Sequence, residues 1–133
     1  MRGFILSLAV ALLFTPALCL AGGPAPSGWI MDNQDQRITV ERFDKLMDTY
    51  PFVYEDSEMT VPMRDVKSLT YNHDNTITLE TTKGKILTVT GQMGVCYTDM
   101  IQYQDKNPID GRLQAQTIDP FLVRKIFFDW KKK

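Results

Sequence analysis

Histidine occurs once in this chain of 133 residues, as His73, and cysteine twice, as Cys19 and Cys96. These shortages exclude a good deal of chemistry. A zinc site draws its ligands from several His and Cys side chains, and beyond the N-terminal leader described below only His73 and Cys96 remain. A Ser–His–Asp or Cys–His arrangement would have to use His73, which sits between Asn72 and Asp74-Asn75 in a segment built for a turn. Isolated glycines such as Gly91 and Gly94 make no phosphate cradle. Charge of one sign is missing too: 15 basic residues face 16 acidic ones, for a net of −1. Nucleic-acid binding relies on clustered Lys and Arg, so it is not expected, and neither is a metal or a cofactor. Cys96 alone can form no internal disulfide, so packing must hold the fold. Lying between Val95 and Tyr97, it reads as a small buried hydrophobe.

The chain has one long apolar run, Phe4 to Phe14, preceded by Arg2 and broken by Pro16. Cys19-Leu20-Ala21 then offers small residues at the −3 and −1 positions of a cleavage site. The run is shorter than the ~20 residues needed to span a bilayer. We read residues 1–21 as an export signal, with a retained anchor as the alternative. Lipidation at Cys19 is disfavoured by the bulky Leu18. The expected location is periplasmic or extracellular, with no transmembrane segment in the mature chain. Residues 22–36 read as a flexible leader, 37–130 as a single β-rich domain able to bury its own core, and 131–133 as a basic tail.

Within that domain one spacing occurs twice. Val66-Lys67-Ser68-Leu69-Thr70-Tyr71 and Val123-Arg124-Lys125-Ile126-Phe127-Phe128 both carry apolar residues at i, i+3 and i+5. A step of three suits a tight helical turn and a step of two suits a strand. Each copy therefore predicts a turn leading into a half-buried strand. Val40, Phe43, Leu46, Met47 and Tyr50 follow a 3.6-residue period, which predicts a short helix over 39–50, capped by Thr39 and stopped by Pro51. From Phe52 onward the period is two. Hairpin signals stand at Asn72–Asn75, Lys83-Gly84 and Asp110-Gly111, and Leu113 and Ala115 are expected to alternate toward the core. The expected fold is mainly β, a single barrel-like or strongly bent antiparallel sheet of about six or seven strands with that one helix.

The run Glu58-Met59-Thr60-Val61-Pro62, followed by Val66 and Ser68-Leu69, resembles a recurring pattern of small bacterial β modules. In these SH3-like or Sm-like units of secreted and outer-membrane-associated proteins, a strand ends in proline and a tight turn precedes the closing strand. Thr76 to Phe128 is similar to a whole unit of this kind. The resemblance implies a small barrel and an exported compartment, and it supplies no site, because such modules share no single chemistry.

Acidic residues offer little more. Glu55, Asp56 and Glu58 could serve a small cleft-acting hydrolase only if they faced another carboxylate across a cleft. Asp105 to Gly111 places its glycine wrongly for an EF-hand and reads as a β-turn. Aromatic residues are the candidates for binding. Phe127 should point away from Ile126 and Phe128, and Trp29 and Trp130 could join it in an apolar patch that meets a partner, or Phe127 and Trp130 could cover the 39–50 helix. The reading that follows is an exported, non-enzymatic module that binds or scaffolds an envelope or extracellular component. A small hydrolase or inhibitor-like protein, or a binder of a small apolar ligand, is the alternative.

Overall fold

The computed structural model describes residues 25–130. The expected export signal, residues 22–24 of the leader and the 131–133 tail lie outside them. In chain order the strands are β1 (Ser27–Asp32), β2 (Arg37–Val40), β3 (Arg42–Asp44), β4 (Thr49–Tyr54), β5 (Ser57–Pro62), β6 (Val66–Tyr71), β7 (Ile77–Thr81), β8 (Ile86–Val89), β9 (Ile101–Lys106), β10 (Leu113–Ile118) and β11 (Val123–Asp129). They form a six-stranded sheet in the order β2-β1-β11-β6-β7-β8, a three-stranded sheet β10-β9-β3, and the hairpin β4-β5. All pairings are antiparallel.

The repeated spacing explains the centre of the large sheet. One-turn 3-10 helices at Met63–Asp65 and Pro120–Leu122 lead directly into β6 and β11. Those two strands are neighbours, with Ile126 opposite Leu69. In both, the step of three marks a bulge. The β6–β7 register slips between Val66 and Ser68, and the β11–β1 register slips between Val123 and Lys125. One extra residue moves a side chain to the opposite face. Val66 and Leu69 therefore share the core, as do Val123, Ile126 and Phe128. The turn precedes each pattern, and the pattern itself is strand throughout.

The same arithmetic overturns the expected helix over 39–50. Val40, Phe43 and Tyr50 are buried and Leu46 and Met47 are packed against the core, so the same apolar residues do face inward. The backbone is extended. β2 pairs with β1, the chain bends at Glu41, and β3 then pairs with β9 in the other sheet. Lys45 takes a left-handed φ of 57°. Each interruption inserts a residue and returns the next apolar side chain inward, which imitates a helical period. Thr39, Val40, Phe43 and Tyr50 are β-branched or aromatic and suit strands once partners exist.

Three further expectations change. Ser27–Asp32, placed in the flexible leader, is β1 and lies inside the large sheet. Gly28 permits this, because a Cβ there would lie 1.9 Å from the Phe127 carbonyl oxygen. The eleven strands among the described residues exceed the six or seven expected, and those residues form no closed barrel of the SH3-like or Sm-like kind. The chain passes between sheets at Glu41, and the far edge of the large sheet meets the β4-β5 hairpin through one isolated backbone pair, Val53–Thr90. Leu113 and Ala115 are exposed; the β10 residues opposite buried Ile101 and Tyr103 are Ile118 and Gln116. The hairpins stand where the turn residues put them, with Asn75, Gly84 and Gly111 at positive φ.

Candidate functional site

Between β8 and β9 the chain has no regular period and makes no strand, yet Met93, Val95 and Cys96 are buried. This segment, residues 90–98, is a strap laid across the β3–β4 connection. Met47 N–H donates to the Val95 carbonyl at 2.9 Å and Tyr97 N–H to the Lys45 carbonyl at 2.9 Å, flanking an isolated Leu46–Cys96 pair. The Cys96 thiol donates to the Asp44 carbonyl at 3.1 Å and accepts from Gln102 N–H at 3.4 Å. Burial pushes this thiol up from its ordinary pKa, which disfavours the reactive thiolate, and the side chain packs in the core.

Tyr50 holds the other end. Its ring is fully buried, and its hydroxyl donates to the Gln92 carbonyl at 2.8 Å and accepts from the Gln92 N–H at 3.0 Å. Burial pushes its pKa up to about 12, with the hydrogen bond to Gln92 acting the other way. Gly91 makes room, since a Cβ there would lie 2.3 Å from the Tyr50 hydroxyl oxygen. One side chain thus pins both backbone groups of a residue in an irregular segment.

Beside the pinned strap lies a groove of about 560 Å³. Ile77, Met93, Cys96 and Val123 give it an apolar base, and Tyr71, Tyr97 and Phe121 stand around it. All three aromatics are exposed: Tyr71 by 41%, Tyr97 by 66% and Phe121 by 92%. Two are held in place. The Tyr97 hydroxyl accepts from Asp48 N–H at 3.1 Å, and the Tyr71 hydroxyl bonds to the Asn75 side chain. Phe121 is presented by the turn before β11, where Pro120 occupies the first position and the Asp119 carboxylate accepts from Phe121 N–H at 2.9 Å. Asp99 is the one carboxylate among the lining residues. The arrangement can stack and bury an aromatic or apolar group. Among the described residues it brings no second carboxylate or imidazole to the groove for acid–base work.

The residues singled out from sequence are placed elsewhere. Trp29 and Phe127 do meet, on the outer face of the large sheet, stacked at 5.6 Å between ring centroids. The Arg37 guanidinium lies 4.1 Å from the Trp29 ring centre and Lys125 Nζ lies 5.6 Å away. Cation–π contacts of this kind contribute about 0.5–1 kcal/mol at exposed sites. Trp130 is separated from that pair. It packs on Phe128 at 5.9 Å, and its indole N–H donates to the Val66 carbonyl at 2.8 Å, so it closes the edge of the core. Neither Phe127 nor Trp130 covers a helix. Glu55 and Asp56 form the exposed β4–β5 turn at φ 51° and 68°, and Glu58 alone of that group borders a second hollow, with Pro51, Met59 and Thr90. His73 is exposed in its turn.

Sequence reasoning missed the groove because its three aromatics come from three distant segments. The single local signal was Asp119-Pro120 followed by two bulky apolar residues, a turn that lifts Phe121 off the body. The fold and groove define a mainly β protein of open, three-sheet construction. Compared with protein families, curated proteins and solved structures, the chain matches none of them.

Proposed function

We propose that this chain is an exported, non-enzymatic β module that binds a partner of the envelope or the extracellular space through the groove rimmed by Tyr71, Tyr97 and Phe121. The exposure of Phe121 carries the reading. A phenylalanine held almost wholly in water by a capped, proline-started turn, above an apolar base, contributes nothing to the core. Aromatic anchors around a pocket are what binding surfaces concentrate. The pattern of residues 1–21 supports export. The test is capture from an envelope extract on immobilised protein, with Phe121→Ser alongside. A partner retained in stoichiometric amount by the parent and lost by Phe121→Ser supports the reading; identical retention by both, or by neither, contradicts it.

A second reading is a small apolar ligand in the same groove, favoured by a volume inside the ~300–1,000 Å³ range of ligand pockets. It predicts that an apolar fluorescent probe binds with one-to-one stoichiometry and that a bulky residue at Gly94, where a Cβ would already touch Pro120 at 3.6 Å, blocks it. The hydrolase reading has less support, since Glu55 and Asp56 lie on an exposed turn outside both hollows.

A further inference from the structure

Among the described residues the outer edge of β10 has no partner strand, and it differs from the other sheet edges. Most edges are blunted. β8 ends in the Val53–Thr90 pair, with N–H to carbonyl distances of 2.8 and 2.9 Å in both directions. β2 carries Arg37 and runs on into β3, and β3 is short, charged at Arg42 and Asp44, and has Phe43 N–H bonded to the Pro26 carbonyl at 3.0 Å. β5 carries Glu58 and ends in Pro62. Charge, proline and brevity are how sheets avoid joining other strands. β10, Leu-Gln-Ala-Gln-Thr-Ile, has six residues and neither charge nor proline.

Its unused backbone groups can be assigned. Asn107 N–H donates to the Arg112 carbonyl at 2.8 Å, and Glu41 N–H donates to the Gln104 carbonyl from the opposite side. Successive residues of a strand direct their backbone groups to alternate sides. Gln114, Gln116 and Ile118 therefore bond to β9, and the N–H and C=O of Leu113, Ala115 and Thr117 point outward. The side chains of those same three residues are exposed, Leu113 by 51%.

We propose that the β10 edge is a self-association surface whose partner is β10 of a second copy of this chain, antiparallel about a two-fold axis at Ala115. Centred there, Ala115 exchanges both hydrogen bonds with its counterpart, and Leu113 exchanges both with Thr117 of the other copy. Every outward group is then paired. The side chains are self-complementary as well. The smallest residue sits on the axis, Leu113 lies across from a threonine, and Gln114 meets Gln116, amide to amide. Arg112 at the start of the strand comes alongside Ile118-Asp119 of the partner copy, so opposite charges meet at both ends and no like charges face each other. An interface in which each patch meets itself is what two-fold dimers require. The three-stranded sheet continues across the junction into its own copy. This association is separate from the groove and from whatever occupies it.

Sedimentation equilibrium of the purified protein, over roughly 1 µM to 1 mM, tests this. One edge contact is small beside the ~1,200–2,000 Å² of a standard interface, so the mass should rise with concentration from monomer toward dimer. Ala115→Lys and Ala115→Glu each place two like charges on the axis. Each should remain monomeric at every concentration with unchanged thermal unfolding, because Ala115 is exposed. Mixed in equal amounts, the two variants should restore the dimer. A parent protein monomeric throughout, an Ala115→Lys variant that dimerises as the parent does, or a mixture without recovery would overturn the proposal.

Discussion

The β6–β11 pair and the 90–98 strap contribute to the same core, and they are held by different means. β6 and β11 lie side by side in the large sheet, each flanked by a second strand, so their backbone groups are satisfied by a continuous ladder. Apolar side chains then complete the job. The strap has no ladder. It is fixed by the Thr90–Val53 pair at its start, by a few backbone bonds to residues 45–47, by the Cys96 sulfur, and by the Tyr50 hydroxyl. A ladder loses one bond at a time and keeps its register, whereas a strap pinned at a few points can open as a unit. The groove lies between the two, lined by strap residues Gly91–Thr98 on one side and by Tyr71, Ile77 and Val123 of the large sheet on the other.

The largest effects should fall on the ladder. Ile126→Ala or Leu69→Ala removes a fully buried side chain from adjacent strands and should cost about 2–5 kcal/mol in chemical denaturation. A loss below 1 kcal/mol at both positions would mean that the central pair is not the stable half of the molecule.

Alkaline pH should act next, and through the strap. Tyr50 titrates near 10 when unfolded and is pushed up to about 12 when folded. The folded protein therefore holds this proton where the unfolded chain has lost it. The contribution is complete below pH 10 and disappears as pH rises from 10 through 12, at an upper bound of roughly 2–3 kcal/mol. Tyr103 and Cys96, raised chiefly by burial, change stability in the same direction. Tyr50→Phe should flatten the profile between pH 10 and 12, and an unchanged profile would remove Tyr50 from the account.

Smaller effects separate pin from packing. Tyr50→Phe keeps the ring and deletes both bonds to Gln92, for an expected loss of about 1–2 kcal/mol at neutral pH, since Gln92 is exposed enough to recruit water. Gly91→Ala drives a methyl into the same hydroxyl and should cost about 1–3 kcal/mol. Combined, the two should cost less than their sum, because Tyr50→Phe removes the hydroxyl that the Gly91→Ala methyl would strike. Simple additivity would show that they act apart. Phe121→Ala should change stability by no more than about 0.5 kcal/mol, although it removes the most exposed aromatic of the groove.

The same comparison explains what could be read from the sequence. The ladder half was largely legible: the hairpins at Asn75, Gly84 and Gly111, the inward alternation of β7, and the equivalence of Val66–Tyr71 with Val123–Phe128. The error over 39–50 has one physical cause. Apolar residues three apart report either a helical turn or a strand with an inserted residue, and at Lys67, Arg124, Glu41 and Lys45 the chain uses insertions. Local sequence does not separate these cases, because the deciding factor is whether a partner strand lies alongside. The groove was invisible for a related reason. Tyr71, Tyr97 and Phe121 meet through the sheet order and the strap, and Tyr50 was readable as buried without any sign that its hydroxyl holds Gln92. Trp29 and Phe127 stack on the outer face of the large sheet, while Trp130 packs on Phe128 at the edge of the core, a separation that alternation along the last strand does not reveal.

Amide hydrogen exchange in the parent protein and Tyr50→Phe, at neutral pH, tests the pinned strap most directly. If the hydroxyl fixes this segment, the amides of Gln92, Met47 and Tyr97 should accelerate together in the variant. Those of Leu69 and Ile126 should slow or quicken only with global stability. Strap amides that keep their parent protection, or that change only in step with Leu69 and Ile126, would contradict it.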